Sequence, residues 1–420
     1  MIDAFDIELS DEQELALVRI ADGDNLLITG NAGTGKSTLM RQVVTLLNPA
    51  VTASTGVAAL QIGGETIHSW AGLGVGDKTA GEIITNLESR ARQYGDRTLS
   101  RIRETRTLIV DEISMLSAGM VDLLDGVLCL ARGDDNPFGG IQVIFVGDFL
   151  QLPPVERNSQ KIQFAFQSQA WKEAEVRVRL LTHVFRQEEE RFSRVLNKIR
   201  FDDLDDEVEA FLIERRAAED TDPDHAACQL HTHNHKCEAI NLRHLRELAG
   251  GGAKDFDAID EGKHPGFVEQ INRDCLAPAK LKLAVGARVM LLVNLNTRGG
   301  LVNGSTGRVQ SWTSFSIQVL FDNGQIVQIE RVTWEFKKGG NVVATRTQFP
   351  LRLSWAVTIH KSQGMTLDKV ETDLTHCFAP GQAYVALSRA RTSDGLFLRG
   401  AGVRVSAHPE AVAFYQQHCL

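Results

Sequence analysis

The sequence predicts an α/β protein built from two parallel-sheet cores. A small, mostly helical insertion interrupts the first, and a small antiparallel barrel is inserted in the second. Three observations carry this. Short apolar runs at 26–29, 108–110 and 143–146 alternate with helical patterns, which is how a parallel sheet covered on both faces reads. A second β-α unit begins near 226, and 420 residues are too many for one core of about 100–200 residues. Between 286 and 349 short β-rich runs are broken by Asn303-Gly304, Asp322-Asn323-Gly324 and Gly339-Gly340-Asn341, the turn chemistry of hairpins.

Taken in order, Ser10-Asp11-Glu12-Gln13 has capping-box spacing and opens a helix to about Asp22. Leu26 to Thr29 is a buried strand, and Leu39 to Leu47 is a helix ended before Pro49. Val51 to Ser54 is a second strand. Residues 75–106 are polar, arginine-rich and helical, and form the first insertion. Leu108 to Val110 ends in Asp111-Glu112, and Ser117 can cap a helix reaching Arg132. Val143 to Val146 ends in Gly147-Asp148. Residues 187–218 are charged and helical. Ala226 to Thr232 reads as a strand, Asn234 as an N-cap, and His235 to Ala249 as a helix stopped by three glycines.

Composition narrows the class. The net charge of −9 and pI near 5.8 exclude a blanket nucleic-acid-binding surface but allow a local basic groove. The six cysteines are scattered without a CxxC pair, so no disulfide framework is expected. The acidic N-terminus lacks an apolar signal core, and no apolar run approaches a membrane span. The expectation is a soluble intracellular protein, cytoplasmic or nucleoid-associated.

The chemistry concentrates at strand ends, where open α/β sheets bind ligands. Residues 30–38 read Gly30, Asn31, Ala32, Gly33, Thr34, Gly35, Lys36, Ser37, Thr38, a complete phosphate-binding loop between a strand and a helix. Its backbone N–H groups cradle the anion, Lys36 reaches the β/γ-phosphates, and Ser37 supplies a hydroxyl to Mg²⁺. ATP hydrolysis needs one carboxylate for the metal and one to polarise water, roles that suit Asp111 and Glu112. Gln151, in Gly147-Asp148-Phe149-Leu150-Gln151, is placed to sense the γ-phosphate or orient water. Gln13 is the capping partner of Ser10, and its amide also suits pairing with adenine. Arg186 and Arg389 in the second core are candidate cations for charge developing at the γ-phosphate. His231, His233, His235 and Cys237 lack metal-site spacing and read as a strand-to-helix junction.

Together these motifs form a recognisable series. Residues 52–70 (TASTGVAALQIGGETIHSW), 136–154 (NPFGGIQVIFVGDFLQLPP), 181–187 (LTHVFRQ), 355–367 (WAVTIHKSQGMTL) and 381–391 (GQAYVALSRAR) resemble motif Ia, the family signature with motif III, and motifs IV, V and VI of Pif-type DNA helicases. Those helicases belong to the RecD-like branch of superfamily 1. Residues 286–292 and 301–309 resemble the entry to that family's barrel insertion. The likeness runs from about 9 to 418, so the chain looks like the family's minimal core.

The resemblance implies two RecA-like domains: 1–177; then 178–296 with 350–420; and a Src-homology-type barrel at 297–349. It implies an ATP- and Mg²⁺-dependent helicase of 5′-to-3′ polarity, acting on single-stranded DNA and single-strand/duplex junctions in replication, repair or recombination, as a monomer. Gln13, Gly30, Gly33, Thr34, Gly35, Lys36, Ser37, Thr38, Asp111, Glu112, Gln151, Arg186, Gly364 and Arg389 fall at nucleotide-site positions, with Ser37 and Asp111 on the metal and Arg389 as arginine finger. Thr55, His68, Phe149, Pro153, His360, Lys361 and Ser362 fall where the family meets DNA, and Phe149 offers a ring on which a base could stack; a core position is the alternative reading for Phe149. Two other classes stay open: a DNA-stimulated ATPase or clamp that does not unwind, and a phosphate-loop ATPase without DNA.

Overall fold

The structure is a computed structural model and describes residues 9–74, 76–154, 162–183, 189–217, 227–250, 252–262, 264–296, 299–338, 341–400 and 402–418. The chain divides into two compact units. The first comprises Met1–Phe185, Phe336–Val343 and His408–Leu420; the second comprises Arg186–Glu335 and Ala344–Ala407.

The first unit is built on a six-stranded sheet of β1 (Leu26–Gly30), β2 (Ala50–Ala53), β3 (Glu65–Thr66), β4 (Thr107–Asp111), β5 (Gln142–Val146) and β6 (Arg177–Leu181). The order is β3-β2-β4-β5-β1-β6, and every pairing is parallel. β1 is buried along its whole length, as a strand covered on both faces must be. Helix α1 (Asp11–Ala21) opens with the expected capping box, and α2 (Lys36–Leu47) follows β1 directly. Ala16, Ile20, Leu39, Met40 and Val43 on these helices pack with Ile28, Ile109 and Ile144 of the sheet. Short helices α3 (Gly56–Gln61) and α4 (Ile67–Trp70) follow β2 and β3. The first insertion is two helices, α5 (Ala80–Tyr94) and α6 (Thr98–Glu104). α7 (Ala118–Arg132) ends where expected, but Ser117 caps it without a side-chain hydrogen bond; its start is held instead by Ala118 N–H donating to Gln163 O at 3.0 Å.

β6 and the C-terminal helix both fall outside the domain that the sequence assigned them to. β6, assigned to the second domain from 178 on, pairs with β1 from Leu26↔Arg177 to Gly30↔Leu181 and closes the first sheet. The C-terminal helix Pro409–His418 also groups with the first unit, because Phe414 and Tyr415 enter its aromatic core beside Phe149, Phe166 and Trp171.

In the second unit β7 (Cys228–His231), β18 (Ala356–Thr358), β19 (Val370–Asp373) and β20 (Leu396–Arg399) form a parallel sheet in the order β18-β7-β19-β20. Between β7 and β18 lie β8 (Lys254–Asp257), paired with β10 (Lys280–Leu283), and a sheet of β9 (Ile259–Gly262), β16 (Asn341–Gln348) and β15 (Val332–Lys338). The expected barrel region is a five-stranded antiparallel sheet of β11 (Arg288–Leu291), β12 (Thr306–Trp312), β13 (Ser316–Phe321), β14 (Ile326–Glu330) and β17 (Leu351–Leu353). It overruns the 297–349 boundary at both ends, because β11 and β17 pair with each other and share one apolar core. Asn234 is the first residue of its helix (Asn234–Ala249) and not the cap; His233 holds that position. Among the described residues no helix is long and apolar enough to cross a membrane.

Candidate functional site

The parallel register brings the ends of four strands of the first unit to one edge: Ala53 pairs Asp111, Val110 pairs Phe145, and Ile28 pairs Val146. The phosphate loop leaves β1 at this edge. Gly30 has φ +146, and a Cβ there would lie 2.2 Å from Leu181 O, so only glycine fits between β1 and β6. Gly33 (φ +88) and Gly35 (φ +78, the N-cap of α2) continue the turn. Lys36 Nζ donates to Gly30 O at 2.8 Å and to Asn31 O at 2.9 Å, curling back over the loop. Thr34 Oγ1 donates to Asn31 O, and Thr38 and Leu39 N–H both donate to Gly35 O. Ser37 is exposed on the first turn of α2.

Gln13 is buried, and its amide links two elements. Oε1 accepts from Ser10 N–H at 3.0 Å, while Nε2 lies 3.3 Å from Thr34 O and 3.4 Å from Gly35 O. The capping box thus orients Gln13 against the phosphate loop. Pairing with adenine requires this amide to exchange those partners.

Asp111 ends β4 next to the loop. Burial pushes its carboxyl above the ordinary value, against the pull of the Glu112 N–H (2.8 Å to Oδ1) and the Lys36 charge. Glu112 is one of the few non-glycine residues with positive φ, at +53. Ser54 holds this turn: its N–H donates to Asp111 O and its Oγ to Glu112 O at 2.8 Å. Beyond β5, Asp148 is fully buried, and Gln151 Nε2 donates to Asp148 Oδ2 at 3.3 Å. A hydroxyl at Ser37 and a carboxylate at Asp111 are hard oxygen donors, the set Mg²⁺ takes alongside phosphate oxygens. No cluster of three or more His, Cys, Asp or Glu that would hold a metal occurs among the described residues.

Thr55 and His68 lie two residues past the paired ends of β2 and β3. Thr55 caps α3 through Ala58 N–H, and burial lowers the His68 pKa. Phe149 corrects the stacking expectation. It is 1% exposed, edge-on to Phe164, Phe166, Trp171 and Phe414, and is a core residue here. Pro153 is likewise buried. Trp70 is buried too, with Arg101 over its ring and bonded to its carbonyl.

In the second unit His360, Lys361 and Ser362 form a turn beyond β18. Ser362 is fully buried and donates to Ile359 O at 2.8 Å, so its hydroxyl does not face a ligand. Burial lowers the pKa of His360 and of Lys361, the latter also through Arg352. Lys361 Nζ donates to Asn234 Oδ1 at 3.0 Å. Beside it, exposed His233 lies 5.8 Å from Phe378, a ring 59% exposed. Sequence reading missed this aromatic and cationic patch; the signal was an exposed phenylalanine three residues before Gly381. Gly364, with φ +79, lies two residues past Ser362. Arg389 is 1% exposed and donates to Val385 O, Ser362 O, Met365 O and Ser388 Oγ, tying the 355–367 segment to the 381–391 segment. It is an internal strut in this structure, and a finger role requires it to change rotamer. Arg186 lies outside the described residues.

The model of the PIF1-like helicase family matches residues 8–210, and that of the DNA helicase Pif1 2B domain matches 266–311. An ATP-dependent DNA helicase PIF1 of Xenopus laevis is 39% identical over 98% of this chain, which spans 64% of that relative's length. The ATP-dependent DNA helicase Pif1 of Bdellovibrio bacteriovorus is 36% identical, with 98% of this chain and 92% of the relative covered. Among solved structures, a Bacteroides Pif1 in complex with ADP-AlF4 superposes with a TM-score of 0.84 at 31% identity, covering 99% of this chain and 98% of that one. The fold is therefore the RecA-like two-domain fold of those helicases.

Proposed function

Because this chain belongs to the PIF1-like helicase family, we propose that it is an ATP-dependent DNA helicase that moves along single-stranded DNA and unwinds duplex at single-strand/duplex junctions. The observation that carries this is the convergence at one sheet edge of the loop 30–38, Asp111-Glu112 and Gln151, with Asp111 close enough to feel the Lys36 charge. Lys36 leaves its loop carbonyls for the β/γ-phosphates, and the loop N–H groups hold the β-phosphate. Glu112 takes the proton of the attacking water, and Gln151 orients that water or senses the γ-phosphate. Mg²⁺, held by Ser37 and Asp111, would neutralise phosphate charge. Arg186 and Arg389 are carried over from the family motifs as further nucleotide-site cations. Thr55, His68, His360 and Lys361 contact the DNA backbone, and Phe378 with His233 offers stacking faces.

ATP-dependent strand displacement on 5′-tailed and 3′-tailed duplexes tests the reading, and the family likeness predicts activity on the 5′-tailed substrate alone. Absence of ATP-dependent displacement on both would overturn the helicase assignment. Glu112→Gln should bind ATP and single-stranded DNA yet hydrolyse at least about a hundredfold more slowly. Wild-type turnover in that variant removes Glu112 from the role of base.

A further inference from the structure

The C-terminal helix supplies a buried phenol to the back of the loop described above. Tyr415 is fully buried, and its hydroxyl lies within hydrogen-bonding reach of Thr29 Oγ1, of Phe149 N–H at 3.2 Å and of Asp148 Oδ1 at 3.2 Å. A phenol has one donor and two acceptor sites. The assignment that fills all three has Thr29 and Phe149 donating to Tyr415 and Tyr415 donating to the Asp148 carboxylate. A hydrogen bond to an ionised acceptor in a buried setting is among the stronger ones.

The partners are not arbitrary positions. Thr29 immediately precedes Gly30, where the phosphate loop leaves β1. Asp148 in turn positions Gln151: its Oδ2 accepts from Gln151 Nε2 at 3.3 Å, and its carbonyl accepts from Gln151 N–H at 3.0 Å. Leu150 N–H donates to Oδ1 at 3.1 Å. A continuous buried chain thus runs Thr29–Tyr415–Asp148–Gln151, all within the first unit. The helix bearing Tyr415 is itself fixed. Phe414 stacks on Phe166, with ring centroids 4.3 Å apart, and Gln167 Nε2 donates to Glu410.

We propose that Tyr415 is a positioning residue of the ATPase site. It locks the Gln151 loop in register with the phosphate loop, so the last helix of the chain belongs to the hydrolytic machinery. This rests on the ATPase reading of the site, with Gln151 acting at the γ-phosphate. An interaction that only packs the core would set stability. One that places Gln151 sets turnover.

The two are separable by replacing a single oxygen. Tyr415→Phe keeps the ring and removes the hydroxyl. DNA-stimulated kcat should fall about tenfold, the rate equivalent of losing one hydrogen bond to a charged group. The Kd for a fluorescent ATP analogue should stay within about twofold of wild type, because Lys36 and the loop N–H groups are untouched. In a Gln151→Ala background, Tyr415→Phe should cost no further turnover, since the group it positions is gone. Unchanged kcat in Tyr415→Phe overturns the proposal, as does an equal loss with and without Gln151. Should Tyr415→Phe fail to fold, Thr29→Val cuts the same chain at its other end and must show the same dependence on Gln151. A wild-type protein without ATPase activity would end the underlying site reading, a result distinct from a working enzyme indifferent to the hydroxyl.

Discussion

Replacing Gly30 by alanine tests whether the phosphate loop is held by geometry or only by composition. The variant meets two penalties. At φ +146 an L-residue lies far from its allowed regions, a strain of about 1–3 kcal/mol. The new Cβ would also sit 2.2 Å from Leu181 O and 3.1 Å from Thr34 Oγ1. Leu181 O is backbone, in a strand paired to Gly30 itself, so no side chain can swing away and β6 must shift. Overpacking of this kind costs about 1–3 kcal/mol more. Gly23 supplies the control: its φ is +92 and an added Cβ meets nothing within 4 Å, so Gly23→Ala bears only the first penalty. Both variants gain equally from a stiffer unfolded chain, about 0.4–1 kcal/mol. Gly30→Ala should therefore be less stable than Gly23→Ala by about 1–3 kcal/mol, or several degrees in Tm for a unit of this size. Paired thermal melts read the difference, and nucleotide titration should show Gly30→Ala weakened while Gly23→Ala binds as wild type. Equal melting with normal nucleotide binding would refute the steric account of the loop.

Other perturbations follow from the same contacts. Asp111→Asn removes a carboxyl whose pKa is raised in the folded state, chiefly by burial, above its ordinary 3.8. The native state favours the protonated form, so that contribution is full below about 3.8 and fades as pH climbs through the folded value. The nucleotide-free Asn variant should thus gain stability over wild type as pH rises from 4 to 7 while losing hydrolysis; a gap that narrows over that range refutes the sign. Arg346 is 1% exposed and donates to both Asp260 oxygens, at 2.8 and 2.6 Å, and to Ala277 O and Asn272 Oδ1. Arg346→Met should cost about 3–5 kcal/mol in denaturant titration, with much of it recovered by also replacing Asp260 with leucine. Lys361→Ala should lower the salt slope of single-stranded DNA binding by about one, whereas Phe378→Ala should weaken binding about 5- to 150-fold and leave the slope unchanged.

What sequence could reveal divides by how local its cause is. The phosphate loop, its strand and its helix were legible because glycines, an apolar run and Lys36-Ser37 lie within some twenty consecutive residues. The capping box of Ser10 and Gln13 was legible for the same reason; that it also braces Thr34 and Gly35 was not, because those partners lie 21 and 22 residues away. β6 was misassigned since Arg177–Leu181, with two arginines and a largely open pattern, looks like the start of something new. Its partner β1 sits about 150 residues upstream, and sheet membership is decided there. Phe149 follows the same rule. An aromatic in a motif beside a ligand site reads as a platform until Phe164, Phe166, Trp171 and Phe414, scattered over 250 residues, close around it. Arg389 was singled out as a residue type in a motif, but its buried bonds to four backbone and side-chain oxygens were invisible.

Several positive-φ positions of the first unit sit at the sheet edge that carries the proposed site, while Asn48, Phe138 and Glu175 precede the amino ends of β2, β5 and β6. Gly30 (φ +146), Gly33 (+88), Gly35 (+78), Glu112 (+53) and Gly147 (+152) lie at or just past the carboxyl ends of β1, β4 and β5. Glycine removes the cost at four of them, but Glu112 carries a Cβ in the left-handed region, at about 1–2 kcal/mol. Such a conformation persists only if its neighbours over-determine it. They do: Asp111 Oδ1 accepts the Glu112 N–H, Ser54 Oγ donates to the Glu112 carbonyl, and Ile113 packs close enough to Gly147 that a Cβ there would come within 3.1 Å of it. Serine at 54, glycine at 147 and aspartate at 111 therefore act as one frame. Each comes from a different strand end, so the turn that aims Glu112 exists only once β2, β4 and β5 are in register. The geometry proposed for Glu112 is thus a consequence of completing the sheet, and a mutation that weakens that register should cost turnover before it costs the fold.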